Sequence, residues 1–250
     1  MRNRSVAQAY ATDPSPPKGQ ESRCSAIAWD DVADCRHCAV RRLALFAALR
    51  GSDFDRVLAL IRSAVVPAGT LLYREDDPAD AVYTVRRGLV KLVKGSPEGS
   101  SRIVRLLGPG AAVGLEALKE GVYWHSAIPI RETGLCRIPF EAFDRLQGHN
   151  DQVTDRLLTQ WEKYVEYADR WITELSSGAV KTRIYRLMAL LVEIAGGDAS
   201  AIELPSVQDV AAILGVSVES VSRAIADLKR NKVLSRVAPR TYRCDLEGLA

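Results

Sequence analysis

No apolar run in this chain approaches the ~20 residues that a membrane-spanning helix needs, and no membrane partner is expected. The N-terminus, MRNRSVAQAYATDPSPPKGQ, lacks the apolar stretch of a secretory signal. These absences point to the cytoplasm, where thiols stay reduced. Five cysteines in that compartment argue for metal binding, redox chemistry or plain burial, not for a disulfide framework. Histidine is scarce, with three in 250 residues. None is spaced against another as a metal ligand, and no nucleophile stands in a recognisable relation to a base, so an enzyme is not expected. A strong charge of one sign is also missing. Thirty-four Lys and Arg oppose 31 Asp and Glu, a net +3 that does not argue for nucleic acid by itself. With 47% hydrophobic and 26% charged residues, the composition is that of an ordinary soluble protein. The length allows one or two domains, each with its own core.

What charge there is concentrates near the C-terminus. Ser217 to Arg243 carries seven Lys and Arg against Glu219 and Asp227, a local +5. It overlaps SVQDVAAILGVSVESVSRAIADLKRNK, residues 206–232, which reads as two short helices around a tight turn. Ser206 with Asp209 forms an N-terminal capping box ahead of Val207, Val210, Ala211 and Leu214. Gly215 ends that helix as a left-handed cap. Ser217 caps the second helix, whose apolar positions are Val218, Val221, Ile225 and Leu228. Outside remain Glu219, Ser220, Ser222, Arg223 and Ala226. This pattern suits a helix-turn-helix whose second helix enters the major groove. Arg223 offers a fork to guanine N7 and O6, and Glu219 can accept from a cytosine amino group. Two amphipathic helices with a solvated charged face remain the plainer reading, one that explains the local +5 less well. A small hairpin follows, Val233–Val237 and Thr241–Cys244 around Ala238-Pro239-Arg240, as the wing of a winged helix.

Upstream, residues 1–39 read as a flexible segment containing Cys24, Cys35 and Cys38, the first 22 residues disordered. A helix is expected through Val40, Leu43, Leu45, Phe46 and Leu49, and another from Phe54 to Ala64. Residues 40–150 form a strand-rich domain. Its stretch from Val66 to Phe140 alternates in short strands: a strand-turn-strand over Val65–Leu72, a hairpin of Ala81–Val85 with Leu89–Val93, and a strand Ile103–Leu107 closed by Gly108-Pro109-Gly110. Strands at this spacing argue for a jelly roll or similar barrel. Residues 151–177 form one long helix. Leu157, Trp161, Tyr164, Ala168, Trp171 and Leu175 recur at steps of four and three, a heptad seam that makes a homodimer, the alternative being packing on the chain's own domain. Gly178 is a hinge. Residues 178–250 form the DNA-binding domain, opening with a helix Val180–Ala195 that faces Ile184, Leu187, Leu191 and Ile194 to its core. The expected class is α+β: an N-terminal jelly-roll domain, a long dimerisation helix and a C-terminal winged helix-turn-helix.

Val218-Glu219-Ser220-Val221-Ser222-Arg223 resembles the recognition helix of the Crp/Fnr family of bacterial transcription regulators, in its Fnr branch. That branch carries Glu-x-x-Ser-Arg, read against TTGAT-type half-sites. The resemblance covers roughly residues 35–245, and VYTVRRGLVKLV is similar to the most typical phrase of the family's cyclic-nucleotide-binding-type domain, which implies that residues 40–150 are a sensor domain. It implies double-stranded DNA as partner, Ser217, Glu219, Ser222 and Arg223 as its contacts, a homodimer along the long helix, and RNA polymerase as a further partner. Cyclic-AMP-binding members use a Gly-Glu and an Arg-Ser pair. Here Gly114-Leu115 and His125-Ser126 stand in those places, with Glu116 one position off, so cyclic AMP is not expected. His125 reads as a surface or loop histidine. The family's oxygen sensor holds a [4Fe-4S] cluster on three N-terminal cysteines and one internal cysteine ahead of Ile-Pro-Phe-Glu. Cys136-Arg137-Ile138-Pro139-Phe140-Glu141 matches the internal one, and Cys35-x-x-Cys38 matches two of the others. Six residues after Cys38, where the third would stand, is Ala44. Cys24 is its replacement, brought back by a loop. The resemblance therefore implies Cys24, Cys35, Cys38 and Cys136 as ligands. Cys244, in the wing, reads as structural. A thiol switch, a haem sensor drawing on His37 and a regulator without metal remain open. So does a nucleotide-binding regulatory module without DNA function.

Overall fold

The computed structural model describes residues 27–29, 31–95, 101–146, 151–196 and 202–244. Cys24 and the segment expected to be disordered lie outside the described residues. The chain begins with β1 (Asp31–Val32), followed by a string of turns over residues 39–48 where a helix was expected. Leu45, Phe46 and Leu49 are buried there all the same. The next helix, α1, is shorter than expected (Gly51–Leu58). Ala64 already lies in β2 (Arg62–Val66), because the β-branched pair Val65–Val66 pairs with Thr133 and Gly134. Beyond the Pro67–Gly69 turn the expected second strand shrinks to a single bridge from Tyr73 to Ala127.

Six further strands complete the sensor: β3 (Ala81–Arg87), β4 (Val90–Gly95), β5 (Ser101–Leu107), β6 (Ala112–Val113), β7 (Ser126–Pro129) and β8 (Thr133–Pro139). They form sheets of order β1-β2-β8-β3-β6 and β5-β4-β7. Val66, Val82, Val85 and Leu135 of the first share a core with Val90, Leu92, Leu107 and Ala127 of the second. This is the jelly-roll sandwich the strand spacing implied. The expected hairpin is not one: β3 pairs β8 and β6, whereas β4 pairs β5 and β7. The chain changes sheets at Gly88, whose φ is 98° and whose missing Cβ would lie 2.4 Å from Thr133 Oγ1. Only glycine combines that backbone with that approach. Two short helices, α2 (Ala117–Glu120) and α3 (Phe140–Asp144), bracket the last two strands.

The long helix α4 runs from Asp151 to Arg170 and continues as a π-helical turn over Trp171–Leu175. It begins in one core and ends in another. Val153, Leu157 and Tyr164 pack with the sensor, while Trp171 and Leu175 pack with the DNA-binding helices. The expected dimer seam is thereby divided. Leu157, Tyr164, Trp171 and Leu175 are occupied by their own chain, and of the six only Trp161 and half-buried Ala168 face outward. Beside them stand exposed Leu158, Val165 and Ile172. The outer stripe Leu158-Trp161-Val165-Ala168-Ile172 keeps the three-and-four spacing, one residue over from the buried one.

The C-terminal part comprises α5 (Val180–Ile194), β9 (Ile202–Glu203), α6 (Val207–Leu214), α7 (Val218–Arg230), β10 (Leu234–Ala238) and β11 (Thr241–Cys244). The wing pairs as expected, and β9 joins it in the order β10-β11-β9. The second core is not confined to these elements. Leu89, Ile103 and Leu106 of the sensor are buried in it beside Ile184, Leu187 and Ile213. Lys91 of β4 also forms a 2.5 Å ion pair with Asp209 of α6, both side chains more than four-fifths buried.

Candidate nucleic-acid interface and sensor site

The helix-turn-helix is built by the local chemistry read in the sequence. Ser206 Oγ accepts from the Asp209 backbone N–H at 3.0 Å and donates to the Asp209 carboxylate at 2.9 Å. Gly215 takes the left-handed cap at φ 62°. Ser217 Oγ accepts from the Ser220 N–H at 3.2 Å and opens α7. The inward face of α7 is Val221, Ala224 and Leu228, with Ile225 half-buried. Val218, expected inside, is 38% exposed because it sits in the first turn, before the helix meets the core. Ser217, Glu219, Ser222 and Arg223 are all exposed, on the first two turns. Backbone N–H at the helix start, then the Ser217 hydroxyl and Arg223, hold the Glu219 carboxyl below its ordinary value. Glu219 is therefore an anionic acceptor at neutral pH beside the Arg223 donor. Exposed Lys229, Arg230, Lys232, Arg236 and Arg243 extend the positive surface along α7 and the wing.

In the sensor, the neighbouring Cys35 and Cys38 meet Cys136, which is distant in sequence. Cys35 and Cys38, on the turns after β1, line the same pocket of about 40 Å³ as Cys136 of β8. Its walls include Val40, Leu45, Phe54 and Ile138, with the guanidinium-bearing Arg41 and Arg86. Interaction with the Cys136 thiol, with Arg86 and Arg41 nearby, holds the Cys35 thiol below its ordinary value, while the same interaction and burial push Cys136 up. The chemistry of the donor set fits an iron–sulfur cluster: three thiols on one apolar pocket, flanked by cations that offset thiolate charge. Cys35 and Cys38 are half-buried and Cys136 is buried, and among the described residues no group of three His, Cys, Asp or Glu is set as a metal site. A pocket of this size has room for only a few waters, so a cluster would need the Cys35–Cys38 segment to move away from β8. His37, considered as a haem ligand, is exposed and pairs with Asp34 at 3.1 Å. The side chain of Cys244 lies outside the described residues.

The interior of the jelly roll is filled by side chains. Tyr73 and Tyr123 stack with centroids 3.6 Å apart, and Tyr83 lies 5.9 Å from Tyr73. A Cβ on Gly114 would come within 2.8 Å of the Tyr123 ring. His125, expected at the surface or in a loop, lies in the bend before β7. It is mostly buried, with Nδ1 3.3 Å from Oε1 of Glu116, which is 5% exposed. Sequence reading missed this pair because Glu116 was weighed only against a phosphate-binding pattern that it fails.

Residues 64–150 match the cyclic nucleotide-binding domain family, and residues 185–250 match the Crp-like helix-turn-helix domain family. The chain is 28% identical over 211 residues to the transcriptional activator protein anr of Pseudomonas aeruginosa, covering 81% of this chain and 85% of that one. It is 23% identical over 206 residues to the anaerobic regulatory protein of Pasteurella multocida, covering 80% and 76%. Among solved structures, FixK2 from Bradyrhizobium japonicum superposes with a TM-score of 0.66 at 23% identity, covering 74% of this chain and 92% of that one. A sensor sandwich, a long helix and a winged helix-turn-helix in this order, with both domain families matched in place, show that the chain belongs to the Crp/Fnr family of transcription regulators.

Proposed function

We propose that this DNA-binding regulator works as a homodimer on TTGAT-type palindromes and responds to oxygen or redox state through its cysteines. The observation that carries the reading is the convergence of Cys35 and Cys38 with Cys136 on one pocket. The relatives named for activation and anaerobic regulation support it. Cys24, Cys35, Cys38 and Cys136 would hold a [4Fe-4S] cluster, whose loss to oxygen is the chemistry it supplies. Ser217, Glu219, Ser222 and Arg223 would read the half-site. The outer stripe of α4 would join the two protomers, and RNA polymerase would be recruited next to the DNA. The domain limits follow the proposed roles: residues 1–39 and 40–150 sense, 151–177 dimerise and 178–250 bind DNA.

The placing of the Cys35 and Cys136 thiols on one pocket, where they interact, favours a second reading, a thiol switch. Two thiols would close to a disulfide, giving two electrons and two protons to a peroxide, which leaves as two waters. One experiment separates the readings. Protein purified without oxygen is assayed for iron, sulfide and visible absorbance, then for shifting a TTGAT-N4-ATCAA duplex before and after air. Under the cluster reading Cys24→Ser, Cys35→Ser and Cys136→Ser each lose iron, and Cys244→Ser keeps it. Iron-free protein that gains a Cys35–Cys136 disulfide in peroxide selects the switch. Protein that ignores the duplex in every state removes both.

A further inference from the structure

Arg183, on the first turn of α5, is buried at 7% exposure. Its Nε donates to the Leu175 carbonyl at 2.5 Å, and its Nη2 donates to the Leu214 carbonyl. Leu175 ends the π-helical turn that finishes the long helix, and Leu214 ends α6 at the bend into α7. Helix ends leave carbonyls without intrahelical partners and carry partial negative charge. One guanidinium thus satisfies two helix C-termini at once. Its donors are fixed in a planar fork, so it sets the angle between the two ends as well as their distance. Arg186 reinforces the first contact by donating to the Glu174 carbonyl at 3.2 Å. Besides this bridge, the long helix meets α5 through the 3.0 Å Arg170–Glu193 ion pair and the packing of Trp171 and Leu175, and the chain between them is the exposed stretch Ser176–Ala179, with Gly178 at φ 91°.

We infer that Arg183 is a positioning residue that transmits the orientation of the long helix to the recognition helix and so sets the half-site spacing the dimer accepts. The inference rests on the reading of this protein as a dimer on a palindrome. In such a dimer the long helices define the two-fold axis, and each α7 must reach the major groove at a fixed offset from it. A loose joint at Leu214 would leave the face of α7 intact and let its offset vary.

The test measures full-chain binding to palindromes with the four-base spacer and with spacers one and two base pairs shorter or longer. Arg183→Lys keeps the charge without the fork, and Arg183→Gln keeps a neutral planar donor. Wild type should prefer one spacing. Both variants should lose about tenfold of that preference, the scale of one charged hydrogen bond. Their base preferences within a half-site and their dimerisation should stay as in wild type. Folded variants with the wild-type spacing profile overturn the inference. So does failure of both to fold, which would make Arg183 a fold residue only. A wild type indifferent to spacing overturns the dimeric reading beneath the inference, and the inference with it.

Discussion

At Arg223 one exposed fork stands at the start of α7 with Glu219 a turn before it. Arg223→Ala should relax specificity at the half-site guanine, since one bidentate arginine–guanine pair contributes about 1–3 kcal/mol of discrimination. A binding matrix unchanged at that base removes Arg223 as the reader. Glu116 is a different case, a carboxylate inside the barrel. Burial would raise its carboxyl, but the bond to His125, its own backbone and the charges of His125 and Arg105 outweigh that and hold it low. A folded value below the unfolded one makes the ionised form stabilising. That contribution is whole above the unfolded value of ~4.3 and is lost as pH falls through the lower folded value. The gap in urea midpoint between wild type and Glu116→Gln should therefore hold steady above about pH 5 and close below it. A gap that persists at pH 3 contradicts this account.

The long helix shows what periodicity settles at the scale of an element. Its apolar residues lie on two adjacent stripes with the same three-and-four spacing, so the sequence shows a seam without showing which stripe faces the chain's own cores. Packing decides: Tyr164 reaches the Ala112 carbonyl inside the barrel, and Trp161 does not enter it. Trp161→Glu and Ile172→Glu should abolish the dimer at micromolar concentration and leave helicity intact, because a charge would be trapped between the helices. Tyr164→Ala should instead lower the unfolding midpoint, with a cost of about 3–5 kcal/mol typical of an emptied aromatic site. Sedimentation paired with urea melts separates the outcomes. Ile172→Glu remaining a dimer would move the interface elsewhere.

Across the whole molecule, sensor and DNA-binding parts are not beads on a string. Leu89, Ile103 and Leu106 sit in the second core, and Lys91 pairs with the Asp209 that also helps cap α6. Lys91→Met should leave Asp209 without its cation and weaken the joint by a part of the ~3–5 kcal/mol seen for fully buried pairs. Calorimetry should show one transition of the wild type separating toward two. The double variant Lys91→Met, Asp209→Asn should recover part of the loss, the signature of a direct coupling. A single unchanged transition would mean that the hairpin merely touches the second core.

Much of this was written locally. Ser206, Gly215 and Ser217 set the helix-turn-helix by capping chemistry that needs only near neighbours, so the two helices of residues 206–232 read correctly from sequence, the place of Val218 excepted. So did the wing and most of the alternating strands, but not which strands pair. The Cys35-x-x-Cys38 pair and Cys136 were legible as thiols of interest, but only the sandwich, by laying the turns after β1 against β8, brings them to one pocket. The partners of β3 and β4 depended on a sheet change at Gly88 whose cause, Thr133, lies 45 residues away. Arg183 carries no signal in the sequence, because its two carbonyl partners come from helices 8 and 31 residues distant. Sequence by itself determined the elements, because caps, turns and periodicity act over a few residues. Tertiary structure alone decided which stripe of the long helix is free and how the sensor holds the reading head, because those depend on contacts between distant segments that no local spacing encodes.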